Sequence, residues 1–287
     1  MPGATKRATF AQPDWLRRVP TDKRLPDGAR VVYTGCGTSF HAAQTGRNAV
    51  QALEAVLDPP EGDILVCISH EGGTELTLEA ARAFRGDVWL ITGKPDSPLG
   101  ELAAEVIVAT PELETSWCHT VSYTCAVAAI DAIRGHDISG LPDAVAAALE
   151  QQVAAGAPGP VIVTGAGRDW PTAQEAVLKL REGAAIAAEG YETEQLLHGY
   201  LAAVEPGTRA YVLEGEGRAA DRAHELARVL RALGAEVTVL PTSHPVVDIV
   251  YFQLLTLAEA EARGRDPDPI GREPGTPLAD AVGAYPS

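Results

Sequence analysis

Short apolar runs rich in β-branched residues recur along this chain, and each passes straight into glycine and hydroxyl residues before a stretch with helical spacing. Val31-Val32-Tyr33-Thr34 leads into Gly35-Cys36-Gly37-Thr38-Ser39, and Ile64-Leu65-Val66-Cys67-Ile68 into Ser69-His70-Glu71-Gly72-Gly73-Thr74. Pro160-Val161-Ile162-Val163-Thr164 leads into Gly165-Ala166-Gly167-Arg168, an altered copy of the first turn. Runs without polar alternation read as strands buried on both faces. The pattern predicts strands near 31–34, 64–68, 88–92, 105–109, 161–164, 209–213 and 236–240. A helix is expected to start at Ser39, whose hydroxyl can cap it, and to run through Ala42, Ala43, Val50 and Leu53. Another follows Thr74, with Leu76, Leu78, Ala81 and Phe84 at its buried side, and a third covers about 120–134. Further helices fit about 142–155, Trp170 to about Glu189, 217–233 and 246–262, and the Pro- and Gly-rich tail from Gly264 reads as irregular.

Strand–helix alternation of this kind implies an α/β protein with parallel sheets covered on both sides. The turn-forming cluster Gly135 to Pro142 is the best boundary. It divides the chain into 1–140, with a short polar and basic leader, and 141–287, with the irregular tail; the second half repeats the plan of the first.

Composition narrows the picture only a little. The formal charge of −16 argues against nucleic acid or an anionic membrane as partner. No apolar run has transmembrane length, and the start lacks the apolar stretch of a signal peptide. The four cysteines, Cys36, Cys67, Cys118 and Cys125, show no metal-type spacing and fit a reducing cytoplasm. No metal or cofactor is expected.

The chemistry lies in the turns and in one helix. Thr38, Ser39, Ser69 and Thr74 can donate hydroxyl hydrogen bonds, and Gly35, Gly37, Gly72 and Gly73 let a ligand approach the backbone. Such turns suit a small polar or anionic group at the carboxyl ends of parallel strands. Glu114 to Thr124 forms a third segment, in which Thr120 and Ser122 serve either as caps or as ligand contacts. Adjacent Cys118 and His119 do not make a thiolate dyad, because sequence neighbours rarely face each other. In Glu175-Ala176-Val177-Leu178-Lys179-Leu180-Arg181-Glu182 the charges at 175, 179 and 182 share one side of an otherwise apolar helix. Either they form a solvated stripe, or they face a cavity or another subunit. With Glu189 and His198-Gly199 following, carboxylate, lysine and histidine together can move protons beside a carbonyl.

The order and spacing of these segments resemble the sugar isomerase (SIS) domain proteins, in tandem. The nearest members are the isomerase half of glucosamine-6-phosphate synthase and its deaminase-like relatives. The resemblance covers nearly the whole chain. It implies two doubly wound, flavodoxin-like αβα units. It also implies that Cys36, Gly37, Thr38, Ser39, Ser69, His70, Glu71, Thr74, Thr120 and Ser122 contact a sugar derivative through its phosphate. Glu182 would shuttle a proton between C1 and C2, Lys179 would lie beside it, and His198 would assist ring opening from a neighbouring subunit. The implied protein is a cytoplasmic homodimer with a shared site and a small-molecule sugar as partner.

Three departures qualify this. Glu71 stands where the family carries a serine, and at 5 Å a carboxylate would repel a phosphate by about 3 kcal/mol per unit charge. Either Glu71 turns outward or the ligand is not an ordinary phosphosugar. Asp266-Pro267-Asp268-Pro269 resembles the stretch before the family's Schiff-base lysine, yet Lys179 is the last lysine here. The chain is also too short to hold a glutaminase half. The residues therefore leave three readings: an isomerase or deaminase, a non-catalytic binder of a sugar derivative, or a relative repurposed for an unphosphorylated substrate.

Overall fold

The structure is a computed structural model that describes residues 3–283. The chain forms two compact units, the first comprising residues up to 147 together with the segment from 271, the second residues 148–270. The tail that the sequence reading put with the second half thus clusters with the first.

The first unit is built on a parallel sheet of β1 (Val31–Gly35), β2 (Ala49–Gln51), β3 (Ile64–Ile68), β4 (Asp87–Thr92) and β5 (Glu105–Val108), in the order β2-β1-β3-β4-β5. Its helices are α1 (Ala4–Leu16), α2 (Thr38–Thr45), α3 (Ala52–Leu57), α4 (Glu75–Ala83), α5 (Pro98–Leu102) and α6 (Val121–Ile133). Side chains alternate across the pleat. Val32, Leu65, Cys67, Val88 and Leu90 form one core with Ala81, Phe84 and Leu99 of the α4 and α5 region. Tyr33, Val66 and Trp89 stand side by side in register on the opposite face. α6 packs against α1 and α2 and is buried on nearly every side, as its largely apolar sequence demands. Truncating one such side chain, Leu90 to alanine for example, would cost about 2–5 kcal/mol.

After α7 (Leu141–Leu149), the second unit repeats the plan with β6 (Val161–Gly165), β7 (Ala188–Glu192), β8 (Arg209–Leu213) and β9 (Glu236–Leu240), all parallel, in the order β7-β6-β8-β9. α8 (Trp170–Ala184) packs on α11 (Pro245–Ala262), while α9 (Thr193–Leu197) and α10 (Arg218–Ala232) cover the core of Ile162, Ala210, Val212, Leu226 and Leu230. A short α12 (Pro277–Gly283) closes the described chain.

Several expectations are corrected. The helix expected from Ser39 to Leu53 ends at Thr45, because Arg47 takes a left-handed φ of 79° and the chain turns back into β2 before α3. Its N-cap is Gly37 rather than Ser39. The helix expected from Trp170 to Glu189 stops at Ala184, where Ala185 adopts φ 50° and frees 188–192 to pair with β6. The helix expected over 142–155 stops at Leu149. The leader is the helix α1, joined to the segment before α6 by a 2.5 Å hydrogen bond between the Thr5 and Ser116 hydroxyls.

Candidate functional site

In the first unit two turns stand at the carboxyl ends of neighbouring strands. β1 ends at Gly35, where a Cβ would come within 2.8 Å of the Ser39 carbonyl carbon, so only glycine lets α2 begin this close to the strand. Gly37 follows at φ 54°, and Thr38 and Ser39 sit half-buried in the first turn of α2. Cys36 lies 3.8 Å from the Thr77 hydroxyl; burial pushes its thiol up, against a smaller pull from Thr77, and it stays protonated. After β3, the Ser69 hydroxyl braces its own turn, receiving the Gly72 N–H at 3.1 Å and lying 3.2 Å from the Thr74 hydroxyl. Glu71 and Gly73 are exposed at the tip, and Thr74 is half-buried.

His70 turns away from the tip. Its Nε2 accepts the Glu114 N–H at 2.9 Å, and its ring meets that of His119 edge-on at 5.4 Å. Burial first, and the His119 ring second, push His70 down to about 4, against an upward pull from Glu114. The ring is therefore neutral near pH 7, as an acceptor at Nε2 requires.

The sequence reading missed the part played by Glu114. Its buried carboxylate lies across the start of α6: Oε1 accepts the Thr120 N–H at 2.8 Å and the Thr120 hydroxyl at 3.0 Å. Oε2 accepts the Ser122 N–H at 2.9 Å and the Ser122 hydroxyl at 2.7 Å. Burial alone would raise this carboxyl, but the His119 ring and the Ser122 hydrogen bonds outweigh it and hold it below the usual carboxylate range. The hydroxyl protons of Thr120 and Ser122 are thus committed within the chain. Thr120 stands at the N-cap position without a side-chain cap bond, and the Glu114 carboxylate satisfies the orphan N–H groups instead. Cys118 is buried, and no disulfide joins the four cysteines.

In the second unit the charged stripe of α8 is not a solvated face. Lys179 and Glu175 are completely buried. The Lys179 ammonium lies 2.6 Å from Glu182 Oε2 and 3.4 Å from Glu175 Oε1. Glu182 alone of the three reaches solvent, with 22% of its side chain exposed. Removing the cation would strand buried carboxylate charge, at about 3–5 kcal/mol. His198 lies elsewhere on this unit, 71% exposed, with Nε2 2.8 Å from Glu194 Oε1. The structure therefore joins Glu175, Lys179 and Glu182 and leaves His198 outside that group.

The turn after β6 copies the β1 turn with different contents. A Cβ at Gly165 would come within 2.6 Å of the Asp169 carbonyl oxygen, and Gly167 has φ 56°. Arg168 donates to Glu216 Oε1 and to the Ser243 carbonyl, and buried Asp169 accepts from the Thr242 hydroxyl at 3.1 Å. Burial pushes the Asp169 carboxyl up to about 6, against a downward pull from Thr242. Among the described residues no group of three or more His, Cys, Asp and Glu could hold a metal ion, and no helix is long and apolar enough to cross a membrane.

Residues 158–265 match the family model of the SIS domain. The match falls within the second unit, so of the tandem pair expected from the sequence it covers one member. The chain is 28% identical over 306 residues to the isomerizing glutamine–fructose-6-phosphate aminotransferase of Aeropyrum pernix, covering 83% of this chain and 49% of that protein. It spans about half the length of the curated relatives it matches. The likeness in fold extends further than the matched stretch. The C-terminal domain of glucosamine-fructose-6-phosphate aminotransferase from Francisella tularensis superposes with a TM-score of 0.79 over 93% of this chain and 98% of its own, at 19% identity. Glucosamine-6-phosphate deaminase from Thermotoga maritima superposes at 0.76 over 96% and 98%, at 20% identity. At these identities the fold is what is shared.

Proposed function

We propose that this chain isomerises or deaminates a phosphorylated aldose, ketose or amino-sugar derivative by moving a proton between C1 and C2, with Glu182 as the base. The observation that carries this reading is the α8 group: a carboxylate that reaches solvent, held at 2.6 Å by an ammonium that has no access to it. A fixed carboxylate can remove the hydrogen beside the open-chain carbonyl as a proton. The electron pair passes onto the carbonyl oxygen, which takes a proton from solvent to give an enediol; the neighbouring hydroxyl gives its proton to solvent as the same carboxyl returns the first proton to the other carbon. From a 2-amino sugar the same transfer leaves an imine, which water hydrolyses to the ketone with release of ammonia. Lys179 acts as the electrostatic partner that positions Glu182. His198, exposed and tied only to Glu194 in the hydrogen bonds described above, is suited to assist ring opening in a second copy of the chain, which makes the working form a homodimer.

The test is solvent deuterium uptake at the carbon beside the carbonyl. Glu182→Gln should keep ligand binding and lose uptake by about a hundredfold or more; uptake at the wild-type rate removes Glu182 from the mechanism. A second reading is a binder without chemistry. Saturable sugar binding by the wild type with no deuterium uptake would establish it instead.

A further inference from the structure

The hydroxyl turns of the first unit contain no lysine or arginine; between them they carry one carboxylate, Glu71. His70 contributes no charge near pH 7. A phosphoryl group placed there would need a cation from elsewhere in the chain. The tail provides one. Ile270 and Gly271 adopt consecutive left-handed conformations, φ 47° and 76°, and a β-branched residue keeps such a φ only where its surroundings impose it. Immediately after this turn the Arg272 guanidinium lies over the Trp117 ring, 4.8 Å from its centroid.

Trp117 belongs to the segment between Glu114 and Thr120, and the Glu114 N–H bonds to His70, so this segment adjoins the Ser69–Thr74 turn. The Trp117 residue remains 54% exposed beneath the guanidinium. Among the described residues Arg272 has neither a carboxylate partner nor a hydrogen-bond acceptor, and its Nε is shut off from solvent without a partner. A guanidinium stacked by its face on an aromatic ring directs its two Nη groups outward in its plane, and that pair matches two oxygens of a phosphoryl group.

We propose that Arg272, held on Trp117, is a specificity-determining residue that reads the phosphoryl group of the sugar derivative on the first unit. The proposal rests on the reading of the ligand as a phosphosugar, and it offsets the negative charge of Glu71 that would otherwise oppose such a ligand. Calorimetric titration of the full chain with fructose 6-phosphate, fructose and inorganic phosphate tests it. Arg272→Gln should weaken fructose 6-phosphate binding about tenfold or more and leave fructose unchanged, with Arg272→Lys in between, since a lysine restores the charge without the pair.

Equal affinity of wild type and Arg272→Gln for fructose 6-phosphate overturns the proposal and leaves the role of Glu182 standing. Arg272-dependent binding without deuterium uptake in the wild type supports the proposal and overturns the isomerase reading. Failure of the wild type to bind fructose 6-phosphate or inorganic phosphate overturns both. A thermal midpoint for Arg272→Gln equal to that of the wild type shows that a lost affinity is a lost contact and not a lost fold.

Discussion

The turn after β1 and the turn after β6 share one backbone and hold different things. Each begins with a glycine pressed against the carbonyl four residues on, Gly35 or Gly165, and continues through a glycine at φ 54° or 56°. Each leaves the second strand in its sheet's order. After Gly37 come Thr38 and Ser39, half-buried hydroxyls; after Gly167 come Arg168 and Asp169, whose charged groups bond to Glu216, Ser243 and Thr242 of the same unit. The frame is therefore a platform on which the two following side chains are either half-buried hydroxyls or a charged junction that the chain fills itself.

The largest effect should come from attacking the shared frame. Gly35→Ala and Gly165→Ala each force a methyl against backbone, and each should lower stability by about 2–4 kcal/mol in urea unfolding. A mild effect at one site would show that the two turns are not equivalent.

The next effect separates their neighbourhoods by pH. Between about 4 and 6.5 an unfolded His70 carries a proton that the folded ring refuses, so this group's contribution to stability is lost as pH falls through that window. Asp169 works the other way. Between its ordinary 3.8 and about 6 the folded carboxyl keeps a proton that the unfolded one has lost, so its contribution falls as pH rises. Each is worth about 3 kcal/mol at most. Thermal melts of Asp169→Asn should therefore show steeper acid loss than the wild type between pH 4 and 6, and those of His70→Gln shallower loss. Identical slopes in all three proteins would refute both assignments.

The smallest effect on folding is expected where the ligand should matter most. Ser39→Ala should change stability by less than about 0.5 kcal/mol. It should weaken phosphosugar binding by about five- to tenfold, read by calorimetry. A stability loss with unchanged affinity would make the first turn a structural junction like the second.

Most of this frame was legible in the sequence, since long β-branched runs announce central strands and Gly-x-Gly announces a tight turn. β2 and β7 escaped for physical reasons. They are edge strands with few fully buried residues, and they lie inside stretches whose spacing continues the preceding helix. Only the left-handed residues Arg47 and Ala185, neither a glycine, break those helices. The Glu175, Lys179 and Glu182 group could be seen because helical spacing brings it together locally. Glu114 could not be assigned, because a carboxylate six residues ahead of the helix start it satisfies fits no short capping pattern. Arg272 and Trp117, far apart in sequence, carry no local signal of their contact.

The carboxylate lying across the start of α6 has a consequence for the empty protein. A helix terminus that waits for an external anion is frayed until one arrives, and part of the binding energy then goes into ordering it. Here the chain brings its own counter-charge. The segment beside the hydroxyl turns therefore needs no external anion to order it.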